Sequence, residues 1–203
     1  MNKTAIKNFA IWARNKLIAE ITYKAGLLGI TEKEIKSPLP QSTQNVQFFD
    51  IGTKELYSIA GVEIDQRKKL TDEIQRKANQ TDYMTAYKSV VEEVAYTWFN
   101  RLIAVRFMEV NDYLPTHVRV LSSESSNKSE PDLVTNPMDA NLGYTPYEKD
   151  RIMQLKNDNQ LDELFRMLFI KQCNALNAIL PALFEKTNDY TELLMNVSFT
   201  DQV

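Results

Sequence analysis

The densest group of side chains capable of chemistry lies in residues 93–110, where polar residues interrupt an apolar run. Asn100, Arg101, Arg106 and Glu109 stand there among aromatic and branched aliphatic residues. A guanidinium group presents a planar fork of donors that matches a carboxylate or a phosphate. The pattern therefore predicts either an internal ion pair or a contact with another domain or with a nucleic-acid backbone.

Two interpretations of these polar residues stay open. Arg106 and Glu109 lie three residues apart, so they can pair on a helix, and a buried pair explains the composition without any activity. In that interpretation Asn100, Arg106 and Glu109 form a structural polar network. In the other interpretation, Arg101 and Arg106 face another domain or the phosphates of a nucleic acid.

Residues suited to other kinds of catalysis are scarce. His117 is the only histidine and Cys173 the only cysteine, so an intramolecular disulfide is excluded and a local metal site or His-based triad is disfavoured. Asn136-Pro137-Met138-Asp139 has the composition of a turn. We therefore predict no catalytic, cofactor-binding or metal-ligating residue in this chain.

A long helix must position these polar residues. After Thr81, a suitable cap, the sequence can stay helical over about 82–111, and Pro115 prevents its continuation. The segment is apolar nearly all round, which is typical of a central helix. One face carries Tyr96, Phe99, Ile103, Phe107 and Val110, and other apolar residues cover most of the remaining surface of the helix.

The rest of the chain predicts an all-α, bundle-like domain of about five to seven helices. A first helix over 4–25 should end at Gly26 or Gly29, and Thr145-Pro146-Tyr147-Glu148 has the pattern of a capping box. Residues 46–51 are short enough to be a strand, an extended arm or a helical turn, and we assign 37–61 mostly to loop. The expected core comprises Trp98, Phe99, Leu102, Ile103, Phe107, Leu164, Phe165 and Leu168.

The helices are expected to form one domain or two small lobes. Residues 1–121 would be an N-terminal helical lobe with the central helix, and 145–203 a C-terminal helical lobe. Serine, glutamate and proline are frequent in 122–131, so 122–144 is assigned as a loop or linker.

Charge and hydropathy limit the function classes. The net charge of −3 argues against an independent, tight DNA binder, although residues 1–36 carry +4 and could border a DNA channel. Arg67, Lys68 and Lys69 lie on a charge-rich helical segment, either a solvated surface or a set of phosphate contacts. The chain has no signal core and no run of about 18 apolar residues, so we expect a cytoplasmic protein without membrane contact.

One stretch of sequence resembles a known family. Residues 95–102, followed by Arg106-Phe107-Met108-Glu109 and Tyr113-Leu114, resemble the amino-terminal region of the PglX methyltransferases of BREX phage-defence systems. The resemblance extends to both ends of the chain, through Ile6-Lys7, Ala13-Arg14-Asn15, Leu28-Gly29-Ile30, Gln172-Cys173-Asn174-Ala175-Leu176, Leu180-Pro181 and Leu183-Phe184-Glu185.

The resemblance implies an enzyme that transfers a methyl group from S-adenosylmethionine to N6 of adenine in double-stranded DNA. This chain lacks a glycine-rich cofactor turn and the Asn/Asp-Pro-Pro-aromatic loop that holds a flipped adenine. We therefore expect the catalytic methyltransferase domain beyond residue 203 and no activity from this chain alone.

The expected role is an N-terminal scaffold and interaction region. Its expected partners are the downstream methyltransferase and target-recognition domains, DNA, and other BREX components. The alternative is a free-standing helical protein–protein adaptor or a regulatory module.

Overall fold

The computed structural model describes residues 2–125, 127–184 and 190–196. Helix makes up 58% of this described part. In chain order the elements are α1 (Lys3–Leu27), β1 (Val46–Phe49), β2 (Tyr57–Ala60), α2 (Val62–Ala78), α3 (Tyr83–Val110), α4 (Asp132–Thr135), a 3₁₀ turn (Pro137–Ala140), α5 (Pro146–Asn157), α6 (Leu161–Leu176) and α7 (Tyr190–Leu193).

The fold class is predominantly helical, as predicted, but it is not strictly all-α. Strands β1 and β2 form an antiparallel hairpin in which Val46 pairs with Ala60 and Phe49 with Tyr57. Local pattern could not settle this assignment, because four residues are too few to separate a strand from a helical turn. Phe49 and Ile59 are buried, so tertiary packing of the hairpin decides the structure of this segment.

The chain forms two compact units. Unit 1 comprises Met1–Phe99 and Thr187–Asn196, and unit 2 comprises Asn100–Lys186 and Val197–Val203. The division falls inside α3, whereas the sequence placed lobe boundaries near residues 121 and 145. Those boundaries stay predictions for independently folding lobes.

Unit 1 buries the second half of α1 with α2, the hairpin and the first part of α3. Leu17 and Ile21 of α1 are buried, whereas Ile6 and Phe9, apolar residues of the first half of the same helix, are exposed. The helix ends as expected of a glycine stop: Gly29 has φ of 71°, and the N–H of Ile30 donates to the carbonyl of Ala25 at 2.9 Å.

Helix α7 completes unit 1. It packs against α2. The indole N–H of Trp98, a buried residue of α3, donates to the carbonyl oxygen of Thr191 at 2.8 Å. A buried indole needs a hydrogen-bond acceptor, so this contact fixes the position of α7 within unit 1.

Unit 2 is built around α6, which packs against α4 and α5. Its buried face includes Leu164, Phe165 and Leu168, all three in the expected core. Helix α5 begins with the expected capping box: Glu148 N–H donates to Thr145 Oγ1 at 3.2 Å, and Thr145 N–H donates back to Glu148 Oε2 at 2.7 Å.

The segment assigned from sequence as a loop or linker, 122–144, carries regular structure in unit 2. It contains α4 and the 3₁₀ turn, and Leu133, Val134 and Ala140 are buried. Tyr144 also donates its hydroxyl to the carbonyl of Pro137 at 2.9 Å. The buried apolar residues of this segment are too few and too close together to show a helical period in the sequence.

Part of the core predicted on helix α3 is exposed in the structure. Trp98 is buried, Phe99 and Leu102 are half-buried, and Ile103 and Phe107 are exposed at 42% and 60%. The reason is that α3 is apolar nearly all round, so hydrophobicity alone could not select the buried face. The face that includes Arg101, Val105, Met108 and Glu109 is buried instead.

Candidate interaction surface

A buried carboxylate organises the end of α3 in unit 2. The side chain of Glu109 is completely buried. Its Oε2 accepts from the backbone N–H groups of Val120 and Leu121, each at 2.6 Å. Its Oε1 accepts from the hydroxyl of Ser122 at 2.7 Å and from the guanidinium of Arg106. These hydrogen bonds fasten the segment after α3 to the last turn of the helix.

Two arginines support this network from different sides. Arg106 is about half exposed and donates to Ser122 Oγ at 3.1 Å as well as to Glu109. Arg119 donates from Nη1 to the main-chain carbonyl of Glu109 at 3.0 Å, which satisfies one of the free carbonyls at the C-terminus of α3.

The structure therefore brings the predicted pair Arg106 and Glu109 together. Asn100 is nine residues before Glu109, about 13 Å along a helix, so it lies outside these contacts. Sequence reasoning missed Ser122 and Arg119. Glu109 offered an indirect signal, because a carboxylate in an apolar helix needs donors from elsewhere in the chain.

Arg67, predicted as a possible phosphate contact, is instead buried in unit 1. Its Nε donates to the carbonyl of Leu28 at 2.9 Å, its Nη2 donates to the carbonyl of Lys36 at 2.7 Å, and its guanidinium lies 4.4 Å from the ring centre of Phe49. Burial lowers the pKa of Arg67 to about 10. These contacts tie α2 to the end of α1, which argues against a phosphate contact by Arg67.

The other predicted basic residues divide between surface and interior. Lys68 and Lys69 are exposed on α2 in unit 1, while Arg101 is buried in unit 2. Burial places the Arg101 side chain inside packed protein, so it does not present a fork of donors at a surface. Lys68 and Lys69 therefore keep the accessibility that a phosphate contact needs.

The basic N-terminal segment is partly neutralised within unit 1. Arg14 lies 3.1 Å from Glu92 of α3, and Lys16 lies 2.9 Å from Glu20. Both pairs are largely exposed and contribute little to stability. Glu92 offsets one positive charge from outside residues 1–36, whereas Glu20 is already included in their net charge of +4. This end of the chain is a weaker candidate for a DNA-facing surface than its formal charge suggests.

A cavity of about 270 Å³ lies beside the end of α3 in unit 2. It is lined by Glu109, Asp112, Leu114, His117, Val118, Arg119 and Glu124. His117 Nδ1 lies 2.9 Å from Asp112 Oδ1, and both residues adopt left-handed backbone angles. Among the described residues that line this cavity there is no serine, threonine or cysteine that could act as a nucleophile.

No cluster of three or more His, Cys, Asp or Glu side chains suited to a metal ion occurs in the described parts of the chain. Residues 2–125, 127–184 and 190–196 also include no helix with both the length and the apolar character needed to cross a bilayer. The sheet in the same residues is the two-stranded antiparallel hairpin, which differs from the parallel sheet that usually carries a nucleotide cofactor.

Unit 2 carries an exposed apolar strip. It consists of Ile103, Phe107 and Val110 on the outer side of α3, with Tyr113 just beyond the helix. The rings of Phe107 and Tyr113 are 6.0 Å apart and meet edge to face. The sequence predicted Ile103 and Phe107 in the core, so the strip is recognised as a surface only from the structure.

These features define a mostly helical segment with buried polar contacts at the end of α3 and an exposed apolar strip. No protein-family model matches the chain. Over its whole length, however, it is similar to part of two adenine-specific methyltransferases, as the sequence resemblance predicted.

The first of these relatives is the adenine-specific methyltransferase PglX of Lacticaseibacillus casei (strain Zhang), 43% identical over 209 residues. The second is the adenine-specific methyltransferase BrxX of Escherichia coli O9:H4 (strain HS), 31% identical over 206 residues. Both alignments cover 100% of this chain, but only 17% and 16% of the respective relatives. The matching part of PglX is its N-terminal region.

Proposed function

We propose that this chain is the N-terminal helical scaffold and interaction region of a BREX adenine-N6 DNA methyltransferase. The observation that carries the proposal is similarity over the entire chain to about one sixth of two adenine-specific methyltransferases. In this proposal the longer protein modifies host DNA in the cytoplasm, uses S-adenosylmethionine and works with other BREX components.

The described residues support a role in contact rather than in chemistry. Glu109 and Arg67 hold segments of the chain together, and the described residues that line the cavity beside His117 and Asp112 include no serine, threonine or cysteine. Exposed apolar residues offer surface for protein packing. The segment would therefore position the catalytic and target-recognition domains without supplying a catalytic group.

The test compares three forms of the protein in cells that lack this methylation. The full-length polypeptide should methylate adenine at a defined site, as read by sequencing that detects N6-methyladenine. The isolated 203-residue chain should not methylate, and the polypeptide without residues 1–203 should lose at least tenfold in methylation.

The control for this comparison is the amount of protein. Immunoblotting must show similar levels of the three forms, since a poorly accumulated deletion would lose methylation for a trivial reason. Full methylation by the deletion form at equal level would contradict a scaffold role. Methylation by the isolated chain would contradict the absence of a catalytic group.

A further inference from the structure

We infer that the strip formed by Ile103, Phe107, Val110 and Tyr113 is the docking site for an apolar helix of the same polypeptide, located outside residues 1–203. This inference rests on the proposed function, because it needs a longer protein. It adds the location of one intramolecular contact and the kind of element that occupies it.

The strip gathers four partly exposed apolar residues at the end of α3. The four residues expose between 42% and 61% of their surface, and the three that belong to α3 lie on one face of that helix. Phe107 and Tyr113 also contact each other at 6.0 Å, so they present a preformed aromatic pair. A single exposed apolar residue needs no explanation, whereas a contiguous group marks a contact surface.

The spacing of the strip fits a helix as the occupant. Ile103, Phe107 and Val110 follow one another at intervals of four and three residues on α3. This alternation is the pattern by which one helix receives the side chains of another in a coiled-coil arrangement, crossing at roughly 20°. The opposite face of α3 in unit 2 is already packed, with Val105 and Met108 buried.

The size of the strip favours an occupant from the same polypeptide. A whole aromatic side chain buries about 150–250 Å², so these four partly exposed residues offer roughly 300–400 Å². A stable complex between separate proteins buries about 800 Å² on each partner. A covalently linked segment acts at an effective concentration of about millimolar, so a smaller contact is sufficient.

The relatives are much longer than this chain, so a protein of their kind contains further segments that could cover the strip. The chain spans 17% and 16% of PglX and BrxX, so more than four fifths of a protein of that kind lies outside it. A helix from that remainder would cover the strip without the loss of translational freedom that a second copy of the chain must overcome.

The experiment uses the full-length polypeptide with the photo-crosslinking residue p-benzoylphenylalanine in place of Phe107. The matched control carries it in place of Tyr147, an aromatic residue of α5 in the same unit that is 78% exposed. After irradiation of the purified monomer, mass spectrometry should find cross-links from position 107 to peptides beyond residue 203, several-fold more abundant than from position 147.

Three results would overturn the inference: cross-links that join two copies of the chain, cross-links confined to residues 1–203, or equal yields at positions 107 and 147. A second measurement uses limited proteolysis of the full-length Phe107→Asp and Tyr147→Asp variants. Phe107→Asp should release the N-terminal segment at least threefold faster than Tyr147→Asp. Equal rates would also contradict the docking site.

Failure of the inference can be separated from failure of the proposed function. If deletion of residues 1–203 abolishes methylation but position 107 gives no cross-link beyond residue 203, the scaffold role stands and this docking site is wrong. If the deletion form methylates fully at equal level, the proposed function itself fails, whatever the cross-linking shows.

Discussion

Replacing Glu109 with glutamine is the sharpest test of the polar clamp at the end of α3. The carboxylate receives four donors: two backbone N–H groups, the hydroxyl of Ser122 and the guanidinium of Arg106. Glu109→Gln keeps the volume but removes the charge, and it directs an amide donor at groups that are themselves donors. The site is completely buried, so water cannot compensate for the lost acceptor.

The expected cost follows from these contacts. Breaking a buried, hydrogen-bonded ion pair costs about 3–5 kcal/mol, and hydrogen bonds to a charged group contribute about 1.5–3 kcal/mol each. We expect Glu109→Gln to lower the free energy of unfolding by about 3–5 kcal/mol. For a chain of this size each kcal/mol lowers Tm by about 2–4 °C, so Tm should fall by roughly 10 °C.

The matched control is Glu163→Gln on α6 of the same unit. Glu163 also pairs with an arginine three residues later, Arg166 at 3.0 Å, but its side chain is 46% exposed. Its partner Arg166 is only 16% exposed, so the pair is partly desolvated, and we expect Glu163→Gln to cost about 1 kcal/mol and to lower Tm by a few degrees at most. The decrease in Tm for Arg106→Met should lie between the decreases for these two variants, because Arg106→Met removes one of the four donors and that donor is half exposed.

The assay is thermal and urea unfolding followed by circular dichroism at 222 nm, with tryptophan fluorescence as a second probe. Both probes are needed because the chain has two compact units, which can unfold separately. If Glu109→Gln lowers the free energy of unfolding by no more than Glu163→Gln does, the buried carboxylate does not hold the segment 120–122. The reasoning about this clamp would then be wrong.

Further predictions concern Arg67, two tyrosines and the cofactor. Arg67→Lys should cost about 2–4 kcal/mol in urea unfolding, because an ammonium group cannot replace the fork that reaches two carbonyls, while exposed Lys68→Met should change little. Burial raises the pKa values of Tyr83 and Tyr144 to about 12. The folded state then binds more protons than the unfolded state between pH 10 and 12, so stability should fall as pH rises through that window. Absorbance at 295 nm should show a late step that Tyr83→Phe and Tyr144→Phe remove, and a single transition near pH 10 would contradict these pKa values. Isothermal titration of the isolated chain with S-adenosylmethionine should give no heat of binding, whereas tight one-to-one binding would contradict the proposed function.

Several elements were predictable because the determining interactions are local. The capping box at Thr145 and Glu148, the stop at Gly29 and the long helix α3 depend on residues within four positions of one another. The pairing of Arg106 with Glu109 belongs to the same group, since three residues separate them on one helix.

The β-hairpin and the buried side of α3 were not predictable in this way. The strand Val46–Phe49 needs a partner about ten residues away, and neither strand is long enough to show its own period. The buried face of α3 is the one that carries Glu109. The carboxylate of Glu109 accepts hydrogen bonds from the backbone N–H groups of residues 120 and 121. These residues lie beyond the helix, so no helical spacing in the sequence connects them with Glu109.

The sequence by itself determined the helical character of the chain, its helix ends and its similarity to the N-terminal part of PglX, because composition, short-range spacing and residue identity carry that information. The tertiary structure alone decided which side of α3 meets solvent and that Arg67 lies inside. The physical reason is that burial of a polar group depends on partners brought together by folding, and those partners are distant in sequence.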